Sequence, residues 1–486
     1  MKRIIKKIFR LLIVCCLIFS LLITTLFVLA KIYKDEISNY VISEINKEIE
    51  VKISIRSADI SVIRKFPYVS IVLNDVVALS GNDFNKQQFK SYSADTLFTA
   101  SRIYLQFNIT DILRKEYRLK KVHAVNGKIN ILIDKSGRVN YRIFKQTGTD
   151  KDNNVFTFSL DGVKISNFSW NFINFAKDIY SLGVLREITL KGRFSQRSFS
   201  LNTITTLHIS TFRREGIEYA SDIKIGARLI LNVQDSVYTI SRGDLALNDL
   251  DFNTTGSFIL GKQSFVDLQI AGINLNVSSL LIALPFNTST IKKYSPSGKI
   301  DILTKINGVL NRTMVPSVKA AFKLTDGKII LPGKTNNVTG IFIKGSFTNG
   351  ALRNGNSSRI NLTDFSGLYG NSKLTGKLSI DNFINPFLSA SVTGTIFSVD
   401  ISEIAGLDGL DLKTGYIYPD VSVNLNLGSF ETFTMDRITG KEFSGNLIFK
   451  DISGTIPIPG LPLNSLNGTV KMDGEDEEYK GPVSMD

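Results

Sequence analysis

One-sided β alternation constrains this chain more than any other feature. In KLTGKLSID, Leu374, Leu378 and Ile380 fall on one parity together with Gly376. Lys373, Thr375, Lys377, Ser379 and Asp381 fill the other, which is the period of a strand with a single apolar side. SDIKIGARLILNV places Ile223, Ile225, Ala227, Leu229, Leu231 and Val233 on one side, with Ile230 the one exception, and VSVNLNL repeats the arrangement with Val421, Val423, Leu425 and Leu427. The pattern runs from Val51 almost to the end of the 486 residues. Roughly 25 to 30 strands stacked at about 4.8 Å would extend on the order of 100 Å.

The turn vocabulary agrees with a meander of strands. Asn-Gly or Asp-Gly pairs begin at Asn126, Asp161, Asn307, Asp326, Asn349, Asn354, Asp408, Asn467 and Asp473, and such pairs favour the tight turns of antiparallel hairpins. Helical interruptions are few: VSSLLIALP ends at Pro285, and VDISEIAGLDG ends in glycines. The stretches from Thr255-Gly256 and from Thr375-Gly376 both read as strand, turn, strand and short helix. They look like distant copies of one unit.

The first fifty residues differ in kind. Leu11 to Ala30 is free of charge, with Leu11, Leu12, Leu17, Leu21, Leu22, Leu26 and Leu29 spread along it. Twenty residues of helix match a bilayer's hydrocarbon thickness, so residues 11–30 read as a transmembrane anchor. Lys2, Arg3, Lys6, Lys7 and Arg10 precede it, which keeps residues 1–10 cytoplasmic and exports the rest. A cleaved signal peptide ending at Ala30 is the competing reading, and the length of the apolar run favours the anchor. Within residues 31–50, Ile37, Val41, Ile45 and Ile49 recur every four residues. That stripe predicts an amphipathic helix capping the near edge of the sheet. Residues 51–150 and 151–472 then form β regions, and 473–486 an acidic tail.

Composition excludes several classes of function. The two cysteines, Cys15 and Cys16, lie inside the anchor, and the two histidines, His123 and His208, are far apart in strand-like sequence. These leave no disulfide framework, no zinc ligand set and no Cys/His nucleophile, so neither an enzyme nor a bound cofactor is expected. GKIILPGKT and GNSKLTGK space their glycines one residue too widely for a phosphate-binding loop. Net charge is +14, and setting aside the five N-terminal bases leaves an excess of nine. That excess is spread thinly, with no basic stripe interleaved with aromatics, so nucleic acid is not an expected partner.

Residues 62–144 contain VIRKFPYVSIVLNDVVALS and then ADTLFTASRIYLQFNITDILRKEYRLKKVHAVNGKINILIDKSGRVNYRIF. In order behind a single anchor, several pieces resemble the N-terminal region of the AsmA family of Gram-negative envelope proteins, in its Bacteroidetes variety. These are the Phe66-Pro67 strand opening, Leu97, Asp111-Ile112-Leu113, the Asn126-Gly127 hairpin, and Ser136-Gly137 leading to Asn140-Tyr141. NVSSLL and VDISEI extend the likeness to about residue 408. The resemblance implies an inner-membrane anchor and a periplasmic body related to chorein-like, bridge-type lipid-transfer proteins. It also implies roles in phospholipid transport and outer-membrane biogenesis. The implied partners are the inner membrane, phospholipid acyl chains, and an outer-membrane or periplasmic protein at the distal end. No catalytic residues carry over. Relatives are often longer, whereas this chain stops after DGEDEEYKGPVSMD.

The expected fold is therefore mainly β: a transmembrane helix followed by an elongated, curled antiparallel sheet forming a groove, with a few short helices. Ile129, Ile131, Ile133, Ile223, Ile225, Leu229, Leu374, Leu378, Val392 and Leu425 are the expected groove floor. A periplasmic assembly scaffold with a closed, dry core is the alternative, because an open groove and a closed sandwich give the same period-two signal.

Overall fold

Strands form wherever the alternation runs unbroken, and each strand pairs with its neighbour in sequence. The computed structural model describes residues 51–473 except 52, 62–67, 82, 109, 112–113, 115–117, 143–159, 193–197, 260–262, 284–292, 312–313, 406–409, 430–441 and 457–461. The chain divides into two units, Met1–Asp235 and Ser236–Asp486. The first holds β1 (Ile53–Ser61), β2 (Tyr68–Leu79), β3 (Thr96–Asn108), β4 (Leu119–Ile133), β5 (Gly162–Asn174), β6 (Ile179–Lys191), β7 (Ser198–Arg214) and β8 (Ile217–Gln234). The second holds β9 (Val237–Leu247), β10 (Leu250–Ile259), β11 (Ser264–Asn276), α1 (Val277–Ala283), β12 (Ser297–Leu310), β13 (Ser317–Ile329) and β14 (Val338–Thr348). It continues with β15 (Arg359–Tyr369), β16 (Ser372–Asp381), β17 (Phe387–Phe397), α2 (Ser398–Ala405), β18 (Asp411–Asn426), β19 (Phe443–Thr455) and β20 (Pro462–Met472).

The protein is thus mainly β, with open, groove-like sheets and few helices. Among the described pairings none joins β1 to β8 or β9 to β20, so neither unit closes into a barrel. KLTGKLSID is β16, and the two short helices follow β11 and β17 as their sequences imply.

Three expectations need correction. β4 and β5 pair in parallel, Lys121 opposite Gly162 through Ile133 opposite Asn174, so the sheet is not wholly antiparallel. A parallel pair needs a long return connection, and this one spans the residues between Ile133 and Gly162. Asn126-Gly127 is no hairpin: both residues lie inside β4, with Asn126 at φ +54°. Asp326-Gly327 likewise lies inside β13 with Asp326 at φ +51°. The residues that tolerate left-handed φ in a turn tolerate it equally in a bulge or crease within a strand. Finally, twenty strands are described rather than 25 to 30, because such breaks bend strands of up to 18 residues instead of ending them.

The anchor, the amphipathic helix of residues 31–50, the Phe66-Pro67 opening, Ile112-Leu113, Asp408 and residues 474–486 lie outside the described residues. Among those described, no helix is long and apolar enough to cross a membrane.

The best-packed region of the first unit surrounds β2. Val69, Ile71, Leu73 and Val76 join Leu105 and Phe107 in a buried cluster, and Ser70 and Val72, of opposite parity, are buried as well. A second cluster forms where a 3-10 turn, Lys86–Phe89, brings Phe84 and Phe89 onto Leu132 and Ile173. Asp134, fully buried, anchors that turn by accepting from the backbone N–H groups of Asn85, Ser136 and Arg138 and from Arg138 Nε at 2.9–3.0 Å. Burial works to raise its pKa, but the Asn85 and Arg138 donors outweigh burial and hold it below 3.8.

A carboxylate whose folded pKa is depressed contributes stability fully above its unfolded value and loses it as pH falls through the folded one. Asp134→Ala should therefore lower the unfolding free energy of the first unit by about 3 kcal/mol at neutral pH. The difference from the native chain should shrink once pH drops below 3.8. Urea unfolding followed by the fluorescence of Trp170, the single tryptophan, measures both; a pH-independent difference would refute the assignment.

Candidate functional site

Cross-strand register assembles the apolar parity into continuous rows. In the second unit Ile302, Phe322, Gly345, Leu362, Leu378, Ala390, Val423 and Phe443 stand opposite one another in turn from β12 to β19. The neighbouring row runs Ile300, Leu324, Ile343, Phe365, Gly376, Val392, Val421 and Gly445. Leu374 faces Gly394, and Leu425 faces Leu388. Leu374, Leu378, Val392 and Leu425 therefore share one face. The opposite face carries exposed polar rows such as Asp301, Lys323, Lys344 and Asp364.

The first unit repeats this organisation. Ile129, Trp170, Gly183, Ile209 and Ile223 form one row from β4 to β8, and Gly127, Phe168, Leu185, Leu207 and Ile225 the next. Ile131 pairs with Phe172, Ile133 with Asn174, and Leu229 with Thr203. Ile129, Ile131, Ile133, Ile223, Ile225 and Leu229 thus lie on one face of their own unit.

Aromatic rings and glycines are the part of this surface that alternation did not single out. Phe168 and Gly127, Trp170 and Gly183, Phe252 and Gly272, Phe322 and Gly345, and Phe365 and Gly376 stand directly opposite each other on neighbouring strands, each ring lying over its glycine. The ring lies across the space where the glycine lacks a side chain, so a Cβ at Gly376 would come within 2.9 Å of the Phe365 ring. Glycines at apolar positions within strands were the available sequence signal, since a strand glycine often marks a close approach.

Burial varies along the strands rather than across the sheet. The middle of the second unit's apolar face is half-buried: Ile302, Phe322, Leu362, Leu378, Ala390 and Val423 keep part of their surface accessible. A core between two packed sheets would exclude water from such residues. Towards the strand ends, by contrast, Leu275, Ile341, Tyr369, Leu412 and Ile452 are buried at the end that carries α1 and α2, and Leu425 and Leu427 at the other.

Charged groups fasten the helix-bearing end. Asp400 of α2, almost fully buried, accepts from Asn371 N at 3.0 Å, Ser372 N at 2.9 Å and Ser372 Oγ at 2.6 Å. Glu403 accepts from Asn336 N at 2.8 Å and Asn336 Nδ2 at 2.7 Å, while its carbonyl takes Lys334 Nζ at 2.8 Å. Desolvation opposes its ionisation, yet the Asn336, Tyr369 and Thr335 donors hold its pKa below 4.5. Burial, followed by the neighbouring Glu403 and Asp400 carboxylates, pushes Tyr369 up to about 12. These bonds tie α2 to the β13–β14 loop and to the start of β16.

The two histidines have ordinary partners. His123 lies 3.2 Å from Ser166 Oγ and stacks on Tyr104, and His208 lies 2.6 Å from Asp222 Oδ1. Among the described residues no group of three His, Cys, Asp or Glu could hold a metal ion. No family model, curated protein or solved structure matches this chain.

Gly376→Val should destabilise the second unit by about 2 kcal/mol, because the new side chain meets both the Phe365 ring and the Ser391 carbonyl. Gly376→Val with Phe365→Ala should recover only the part due to the ring. Thermal unfolding of the two variants tests this, and a neutral Gly376→Val would show that the ring does not lie across the glycine.

Proposed function

We propose that this chain is a membrane-anchored lipid carrier of the AsmA type. In this reading residues 11–30 hold it in the inner membrane, the β units lie in the periplasm, and phospholipid acyl chains occupy the apolar face. The observation that carries the reading is the continuous, half-buried middle of that apolar face. A contiguous apolar surface of this extent needs either a second protein layer or a ligand. Acyl chains suit it because the two central rows of the second unit, Ile302 to Phe443 and Ile300 to Gly445, consist of aliphatic and aromatic side chains and glycines, with no polar group that would demand a specific hydrogen-bonding partner. The role is transport in outer-membrane biogenesis, with no catalytic step.

Native mass spectrometry of the full chain, purified in mild detergent, is the test. Co-purifying phospholipid is the expected result. Leu378→Asp, in the middle of a row, should keep the far-ultraviolet circular dichroism of the native chain while losing most of the bound lipid. Repeated preparations free of phospholipid would sink the proposal. So would unfolding of the Leu378→Asp variant, which would mean that the face is a dry core.

A further inference from the structure

The end of the second unit opposite α1 and α2 has a surface that the groove does not explain. Described parts of three loops lie there: 311 and 314–316 between β12 and β13, 349–358 between β14 and β15, and 382–386 between β16 and β17. Hydrogen bonds join them into one margin. Asn349 Nδ2 donates to Pro316 O at 2.9 Å and Arg353 Nη1 to Val315 O at 3.2 Å. Phe383 N donates to Gly355 O at 2.8 Å and Asn382 N to Ser358 O at 2.9 Å. The loops therefore present a fixed surface.

That surface is apolar and exposed. Leu352 and Ile384 are 67% and 65% accessible, and Leu310, Met314, Val315 and Phe387 are also exposed. Large side chains held outward on hydrogen-bonded loops are the kind of apolar patch that marks an interaction site. Exposed aliphatic residues occur at the helix-bearing end too, Ile273 and Ile282 among them. There, however, they share the margin with Asp249, Asp400, Glu403 and Asp411. The described residues of 310–316, 349–358 and 382–387 include no acid and contribute Arg353, and the carboxylate beside them, Asp381, is paired with Arg359.

Beside the margin is an open cleft of about 840 Å³ whose lining includes Lys305, Lys319, Arg353, Ser317, Ser346 and Thr348. Lys305 and Lys319 stand opposite each other on β12 and β13. Cations and hydroxyls in a recess next to protruding aliphatic side chains match the two layers of a phospholipid surface, with phosphates outside and acyl chains beneath. Cationic side chains are attracted to an anionic membrane surface, and inserted apolar residues add to the binding by area.

We propose that this loop margin docks the second unit onto an anionic phospholipid bilayer, with Leu352 and Ile384 entering the acyl boundary and Lys305, Lys319 and Arg353 meeting headgroup phosphates. The inference stands apart from the groove's cargo: the margin could hold a membrane whether or not the groove holds lipid.

The test uses the full chain in phosphatidylcholine nanodiscs, with Cys15→Ala and Cys16→Ala and an environment-sensitive dye on Leu352→Cys. A matched chain carries the dye on Pro332→Cys, in the loop at the helix-bearing end. Adding vesicles of phosphatidylcholine with phosphatidylglycerol should shift the dye at 352 to the blue and leave that at 332 unchanged, with a much weaker response to phosphatidylcholine alone. Ile384→Ser with Met314→Ser should weaken the response on the order of tenfold or more. Lys305→Glu with Lys319→Glu should abolish the preference for anionic vesicles, and circular dichroism checks that both variants stay folded. Absence of a shift at 352 with either vesicle would overturn the inference and leave the margin as a protein-binding surface. An equal shift at 332, or a charge reversal that keeps the anionic preference, would overturn it as well.

Discussion

Main-chain pairing between strands adjacent in sequence is the interaction on which the rest of this protein depends. Each strand satisfies its N–H and C=O groups on its neighbours, so a unit grows by adding hairpins and no strand needs a partner from a second layer. The arrangement satisfies the backbone of every strand inside a unit while leaving the side-chain problem open. Apolar residues of eight successive strands, from Ile302 of β12 to Phe443 of β19, are brought into one row by register alone. Nothing in the ladder itself covers that row.

Two devices shape the surface so formed. Register shifts recur near the helix-bearing end of the second unit, for example at Gly272/Leu275, Leu324/Gly327 and Thr339/Phe342, and bulges bend and twist the strands that contain them. In the first unit the crease is marked by Asp75, Asn126 and Asn167, all at positive φ. Asn126 and Asn167 stand side by side and are joined through their amides at 3.2 Å. The second device is the ring across the glycine. It fills the gap a strand glycine would leave and keeps the apolar face continuous where the backbone approaches closely.

The two margins of the second unit then diverge chemically. One is fastened by carboxylates, with Asp400 and Glu403 drawing α2 onto the adjoining loops. The other is fastened by amides and carbonyls and turns its aliphatic side chains outward. The same unit therefore has one side where carboxylates fasten a helix and another where the joined loops 349–358 and 382–386 carry exposed apolar groups and no acid.

The sequence by itself determined where strands run and which residues share a face. Leu374, Leu378, Val392 and Leu425 meet on one side because strand parity is a local property of the backbone. The two short helices were legible for the same reason, Pro285 and the glycines after α2 being local stops. Only the tertiary structure decided what faces what. Asn126-Gly127 could have been a turn or a crease, since left-handed φ serves both, and the parallel pairing of β4 with β5 depends on contacts far apart in the chain. The pairing of Phe365 with Gly376 arises from register, which no single strand encodes. Whether the apolar face is covered is likewise a property of several strands together. Period-two alternation reports which side chains point the same way, and packing alone determines whether anything lies over them.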